Sequence, residues 1–162
     1  MNYLYACGSC NGPKNSKFAV FDAQGQLLSL RSSSLPGDAA LLHPRYEDPL
    51  HFLMLDLQGT FLFVPAADAG TIEYTRASYT IQLLRLNERT WLPAARREAY
   101  ESYRARLKEY IAERDRGAIT ANLIHSLQRM HHPTVWHEMK RQHQLIPELR
   151  TLFTQASEAL AW

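Results

Sequence analysis

Apolar and polar positions fall into short blocks over the first third of the chain and then settle into a period of three to four residues. "FAVFDAQGQLLSL" at 18–30 reads as two short strands around Asp22-Ala-Gln-Gly25, where Gly25 supplies the positive φ that a tight turn needs. "RSSSLPGD" at 31–38 is a surface loop by its Ser, Pro and Gly content. "HFLMLDLQGTFLFVPA" at 51–66 predicts a second hairpin, with its turn at Gln58-Gly59. The first arm is apolar almost throughout, as a strand covered on both faces would be.

Beyond Gly70 the period becomes helical. Thr71 is placed to cap a helix running to about Leu86. Pro93 suits the first turn of a long helix to about Arg116, with Gly117 ending it. On that helix Tyr100, Tyr103, Leu107, Tyr110 and Ile111 form one buried stripe, and Arg97, Glu101, Arg104 and Lys108 line another face. Two or three further helices fill 119–162, broken at His132-Pro133 and Ile146-Pro147. The expected class is α+β in a single domain, with a knuckle and hairpins over 1–70 and helices over 71–162.

At 162 residues one hydrophobic core suffices. An apolar fraction of 46% beside 21% charged residues is an ordinary globular balance, which excludes global disorder. With 18 basic against 16 acidic residues, the formal charge of +2 is too even for a chain that coats nucleic acid by bulk charge. Any such affinity must come from a local patch. No apolar run reaches membrane-spanning length, the N-terminus lacks a secretory pattern, and two cysteines make no disulfide framework. A soluble, cytoplasmic protein without membrane partners is expected.

Cys7 and Cys10, spaced Cys-x-x-Cys, can bring two thiolates to one zinc ion, but a structural site needs four ligands and the chain has no third cysteine. Spacing alone leaves open a partial metal site or a reduced pair without a role. A thioredoxin-like pair is disfavoured because no strand–helix unit precedes it. His131, His132, His137 and His143 crowd one stretch, yet no two are three or four residues apart, so they read as surface or capping histidines. Lys14 and Lys17, beside the Gly12-Pro13 turn, can meet phosphate or simply solvate the turn. The arginines of the long helix are interleaved with Glu98, Glu101, Glu109 and Glu113, which predicts a salt-bridged face rather than a polyanion track. No glycine-rich phosphate loop, nucleophile elbow or paired catalytic carboxylates are visible.

The segment "NYLYACGSCNGPKNSKF" at 2–18 resembles the second half of the motif of bacterial HNH endonucleases, approximately N-[LY]-x-x-A-C-x-x-C-N-x-x-K-x-x-x-F. "LLHPRYEDPLHFLMLD" at 41–56 is similar to that family's L-L-x-P-R-x-x-D-P segment, and "RASYTIQLLRLNERTWLPAARR" at 76–97 to its R-x-x-x-T-I-x-x-L-x-L-N-R helix. "HPTVWHEMKRQHQLIPELRTLF" resembles the tail of some members, and the whole pattern is similar to nucleases of phage-defence operons such as Septu-type systems. The resemblance implies the remnant of a ββα-metal finger at the N-terminus, two β-hairpins, and a mainly helical bundle.

It also implies roles. Asn2 stands where the family's central catalytic Asn sits, and Asn11 at the helix position after the second cysteine. Lys14 matches a basic residue near the phosphate, with Lys17 beside it. Cys7 and Cys10 match half of the structural zinc ligands. The complete family site uses Mg or Mn at the reaction centre and structural Zn, with a histidine as general base. That histidine and the other Cys-x-x-Cys precede the matched segment in the family. The expectation is therefore a homologue inactive alone, with its partial zinc site empty and no cofactor in the isolated chain. The alternatives are an active DNA endonuclease completed by upstream sequence or a partner chain, and a module that binds DNA, a partner protein or a second copy of itself.

Overall fold

The computed structural model describes residues 8–22, 25–30 and 38–162. They fall into two compact units: described residues up to Met54 together with Leu62–Arg89, and Leu55–Phe61 together with Thr90–Trp162. The class is α+β, with small antiparallel sheets and a helical bundle.

The first unit opens with helix α1 (Gly8–Lys14), followed by strands β1 (Phe18–Phe21) and β2 (Leu27–Leu30). The turn between these strands forms where the sequence places it. Gly25 has φ 74°, and Asp22 Oδ1 accepts the Gln26 N–H at 2.7 Å. Pro13, expected in a turn with Gly12, lies inside α1, one residue from its end. Asp38, expected in the surface loop, instead pairs with Phe21 as part of β3 (Asp38–Ala39), which gives the sheet order β2-β1-β3. The rest of that loop, residues 31–37, lies outside the described residues.

Asp48 caps a short helix α2 (Pro49–Phe52), its Oδ1 accepting the Leu50 N–H at 3.0 Å. This helix takes up the start of the apolar run that reads as a strand. Only β4 (Leu53–Leu55) remains extended, and it pairs with β5 (Phe63–Pro65). Thr71 caps α3 (Ile72–Leu83) as predicted, with Oγ1 accepting from Tyr74 N at 3.1 Å. Two small cores result: Ala19, Phe21 and Ala40 with Tyr79, and Leu42, Leu53 and Ala77 with Phe52, Phe63, Ile81 and Leu86. Asn87 acts as a substitute strand. Its side chain accepts from Phe63 N and donates to Phe63 O, both at 2.8 Å.

The second unit is built on α4 (Trp91–Asp115), whose expected stripe of Tyr100, Tyr103, Leu107, Tyr110 and Ile111 is buried. Pro93 lies in its first turn. Gly117, at φ 77°, stops it, with the Ala118 N–H returning to Glu113 O at 3.0 Å. Helices α5 (Ala121–Gln128), α6 (Pro133–Gln142) and α7 (Pro147–Gln155) follow, both predicted prolines opening helices, and a 3-10 turn closes the chain at Ser157–Ala161. Tyr103 stacks on Trp136, which meets Phe153 at 5.6 Å.

The loop Leu55–Phe61 belongs to this unit, and side chains hold three of its carbonyls. Gln142 donates to Leu55 O at 2.7 Å, Arg97 to Gly59 O at 3.0 Å, and Arg96 to Phe61 O at 2.9 Å. Asp56 ties the loop from within, accepting from the Gln58 and Thr60 N–H groups at 2.9 Å each and from the Thr60 hydroxyl at 2.7 Å. Phe61 leaves the loop with φ 56°, its ring packed against Tyr100.

Candidate functional site

Asn2 and Cys7 lie outside the described residues, so the Cys-x-x-Cys knuckle and the central asparagine position have no geometry here. Cys10 and Asn11 fall on consecutive positions of α1. Lys14 ends that helix and is half-buried; Lys17 follows, exposed, with its backbone N–H on Lys14 O at 2.9 Å. Neither lysine forms an ion pair among the described residues. No three His, Cys, Asp or Glu side chains among the described residues come together as metal ligands.

The predicted salt-bridged face of α4 is present. Arg104 meets Glu101 and Glu148, and Lys108 shares Glu148 at 3.0 Å. Arg106 pairs with Glu109 at 2.8 Å, and Arg116 with Glu113 at 2.6 Å. Arg114 bridges Asp115 and Glu158, which with the Tyr110 hydroxyl on Glu158 ties the closing turn to the helix. The Arg104 guanidinium holds Glu148 below the usual carboxylate range, against the opposing effect of burial.

The histidines behave as local structure. His131 and His137 are exposed. His132 occupies the N-cap position of α6 in the left-handed region, φ 58°, without a side-chain capping bond. His143 donates from Nδ1 to Lys140 O at 2.7 Å and stands edge-on to Phe153.

Sequence reasoning missed a bidentate ion pair in the first unit. Arg76 grips Glu47 with both terminal nitrogens, at 2.5 and 2.9 Å, while Glu47 Oε2 also accepts the His43 N–H at 2.8 Å. The Arg76 guanidinium holds the Glu47 carboxyl below its ordinary range; partial burial opposes this, and the His43 N–H reinforces it. The pair forms one wall of a cleft of about 480 Å³, whose other walls include Phe21, Asp22, Asp38 and Ile72. Within this wall the Arg76 charge is met by Glu47 and is not free for a phosphate. The signal was available in principle, since Glu47 and Arg76 sit in two separate blocks of the HNH-like pattern. Nothing in either block says that they meet across 29 residues.

A second groove, of about 410 Å³, runs between α4 and α5, lined by Ser102, Ala105, Arg106 and Glu109 from α4 and by Ser126 and Met130. No helix among the described residues is long and apolar enough to cross a membrane. Compared with family models, curated proteins and solved structures, the chain matches none.

Proposed function

We propose that this chain is a DNA-binding homologue of the HNH endonucleases, with α1 as the helix of a ββα-metal-finger remnant, that contacts the phosphate backbone and does not cleave it unaided. The observation that carries the reading is a contrast in charge. Lys14 at the end of α1 and Lys17 just after it stand without a carboxylate among the described residues, whereas Arg104, Arg106, Lys108 and Arg114 of α4 and Arg116 just after it are each held by one. A cation with no internal partner can release condensed counterions from a phosphate backbone, and a neutralised one gains little by doing so.

Two measurements test this. In a DNA titration, Lys14→Glu with Lys17→Glu weakens binding and lowers the dependence on salt by about one to two contacts. Unchanged affinity in that variant removes the two lysines from the interface. Plasmid, single-stranded DNA and RNA incubated with Mg, Mn or Zn remain uncut. Cleavage that disappears in Asn11→Ala would overturn the non-catalytic reading in favour of a nuclease completed by a partner or by upstream sequence. The same reading leaves Cys7 and Cys10 without enough ligands to hold zinc in one chain, so elemental analysis of protein purified without chelator gives well under one zinc per chain. One zinc per two chains would indicate a four-cysteine site shared across a two-fold axis.

A further inference from the structure

From Arg116 to His137 the chain carries no acidic residue, the longest such stretch in the helical part. It supplies Arg129 and four histidines, His125, His131, His132 and His137. His125 falls on α5, Arg129, His131 and His132 on the link that forms the corner between α5 and α6, and His137 midway along α6. His125 and Arg129 lie one helical turn apart, with Arg129 Nη1 3.2 Å from His125 Nε2. His131 follows at once and is exposed, as are His125, Arg129 and His137. Arg129 has no carboxylate partner among the described residues. The acid on the neighbouring wall of the α4–α5 groove, Glu109, is already held by Arg106 at 2.8 Å. This differs from the α4 face, where cations and acids balance within the helix or against α7.

We infer that this corner is a second nucleic-acid contact, one that takes single strands through Arg129, His125 and His131. The inference rests on the DNA-binding reading above and adds both a surface and a substrate form to it. A guanidinium and imidazoles offer planar faces on which unpaired bases stack, together with N–H donors for phosphate oxygens. Stacking requires splayed bases, which a duplex does not present. An acidic peptide would satisfy the charge but would leave the flat rings without a matching surface.

The experiment uses the full chain and three probes: a labelled single-stranded DNA 20-mer, its duplex, and a polyglutamate peptide. The variant is His125→Ala/Arg129→Ala/His131→Ala, with Arg129→Glu alone as the variant least disruptive to the fold. Arg116→Ala is the control, because it removes one exposed arginine whose charge Glu113 already balances. Circular dichroism confirms that each variant is folded. The expected result is a loss of about tenfold or more in affinity for the single strand in the triple variant. Its salt slope falls by about 0.7 for each phosphate contact removed. Arg129→Glu weakens binding in the same direction, and Arg116→Ala changes it by less than about twofold. Wild-type affinity in a folded triple variant or in Arg129→Glu overturns the inference. If Lys14→Glu with Lys17→Glu still weakens binding in that case, the DNA-binding reading stands without this surface. No binding to either nucleic acid at low salt overturns both. Polyglutamate binding that exceeds oligonucleotide binding and disappears in the triple variant overturns the nucleic-acid assignment and identifies an acidic-peptide site.

Discussion

Gln142 on α6 donates from Nε2 to the carbonyl oxygen of Leu55, 87 residues away, at 2.7 Å, and the same nitrogen lies 2.6 Å from Glu138 Oε2. One amide thus satisfies a buried strand-end carbonyl and a buried carboxylate at once. Gln142 is 5% exposed and Glu138 fully buried, so water cannot replace either bond. Gln142→Leu is nearly isosteric but strips the Leu55 carbonyl of its side-chain donor and leaves Glu138 with Arg141 alone, and is expected to cost about 2–3 kcal/mol in urea unfolding. Gln142→Glu, which sets a second carboxylate against Glu138, costs at least as much. A loss below about 0.5 kcal/mol in Gln142→Leu would mean that the loop finds other donors.

The two arginines that hold the same loop differ in burial, and so in worth. Arg96 is 6% exposed and donates to Phe61 O, whereas Arg97 is exposed and donates to Gly59 O while lying over the Phe61 ring at 5.4 Å. Arg96→Ala removes a buried donor and its aliphatic stem, an expected loss of about 2–3 kcal/mol. Arg97→Ala should cost about 1 kcal/mol or less, because its carbonyl partner can turn to water. Equal losses in chemical denaturation would contradict this account of the loop.

Much of the architecture was legible before any coordinates, because it depends on local chemistry. Thr71, Gly117, Pro133 and Pro147 act within a turn of their own position, and the Tyr100-to-Ile111 stripe follows from helical period alone. What the sequence hid depends on distant partners. The apolar run at 51–55 reads as strand, yet Asp48 and Pro49 start a helical turn first, a capping effect that outweighs β-propensity over its opening residues. Asp38 looks like loop until β1 offers it an edge. Asn87, Arg76 and Gln142 are polar residues in helical or turn-like surroundings, and each is read as surface until its strand, carboxylate or carbonyl partner is known. The candidate site was the least legible of all. Lys14 ends α1 and Lys17 follows it, but the paired cysteine and asparagine positions involve Cys7 and Asn2, outside the described residues.

Acid should destabilise the fold through carboxylates that pairing keeps ionised. Arg76 lowers the Glu47 pKa, the Thr60 hydroxyl lowers that of Asp56, and Arg104 lowers that of Glu148, in each case against partial burial. A lowered native pKa gives stability that is fully present above the ordinary carboxyl range and is lost as pH falls through the lowered values. The melting temperature should therefore be level above about pH 5 with respect to these groups and fall below it. In Arg76→Gln the Glu47 contribution largely disappears, so the variant starts less stable and its acid limb is shallower. An acid limb of unchanged steepness would remove Glu47 from the explanation.

Burial, rather than the presence of an ion pair, should decide what each glutamate contributes. Glu138 is fully buried and faces Arg141 Nη2 at 2.7 Å, whereas Glu148 is 41% exposed at its side chain yet holds both Arg104 and Lys108. By count of cationic partners Glu148 looks the stronger. However, exposed pairs are screened and each gives about 0–1 kcal/mol, so Glu148→Ala is expected to cost about 1 kcal/mol and less in molar salt. Glu138→Ala removes the acceptor for Gln142 and leaves a cavity, for an expected loss of about 2–4 kcal/mol that salt does not erase. Arg141, still 31% exposed at its side chain, can rehydrate, which keeps the loss below that of stranding a fully buried cation. Glu138→Gln retains the acceptor for the Gln142 amide while removing the charge, so it should fall between wild type and Glu138→Ala. Urea unfolding of the three variants at low and high salt gives the comparison. A larger loss in Glu148→Ala than in Glu138→Ala would show that surface charge, and not the buried α6 network, holds the helical unit together.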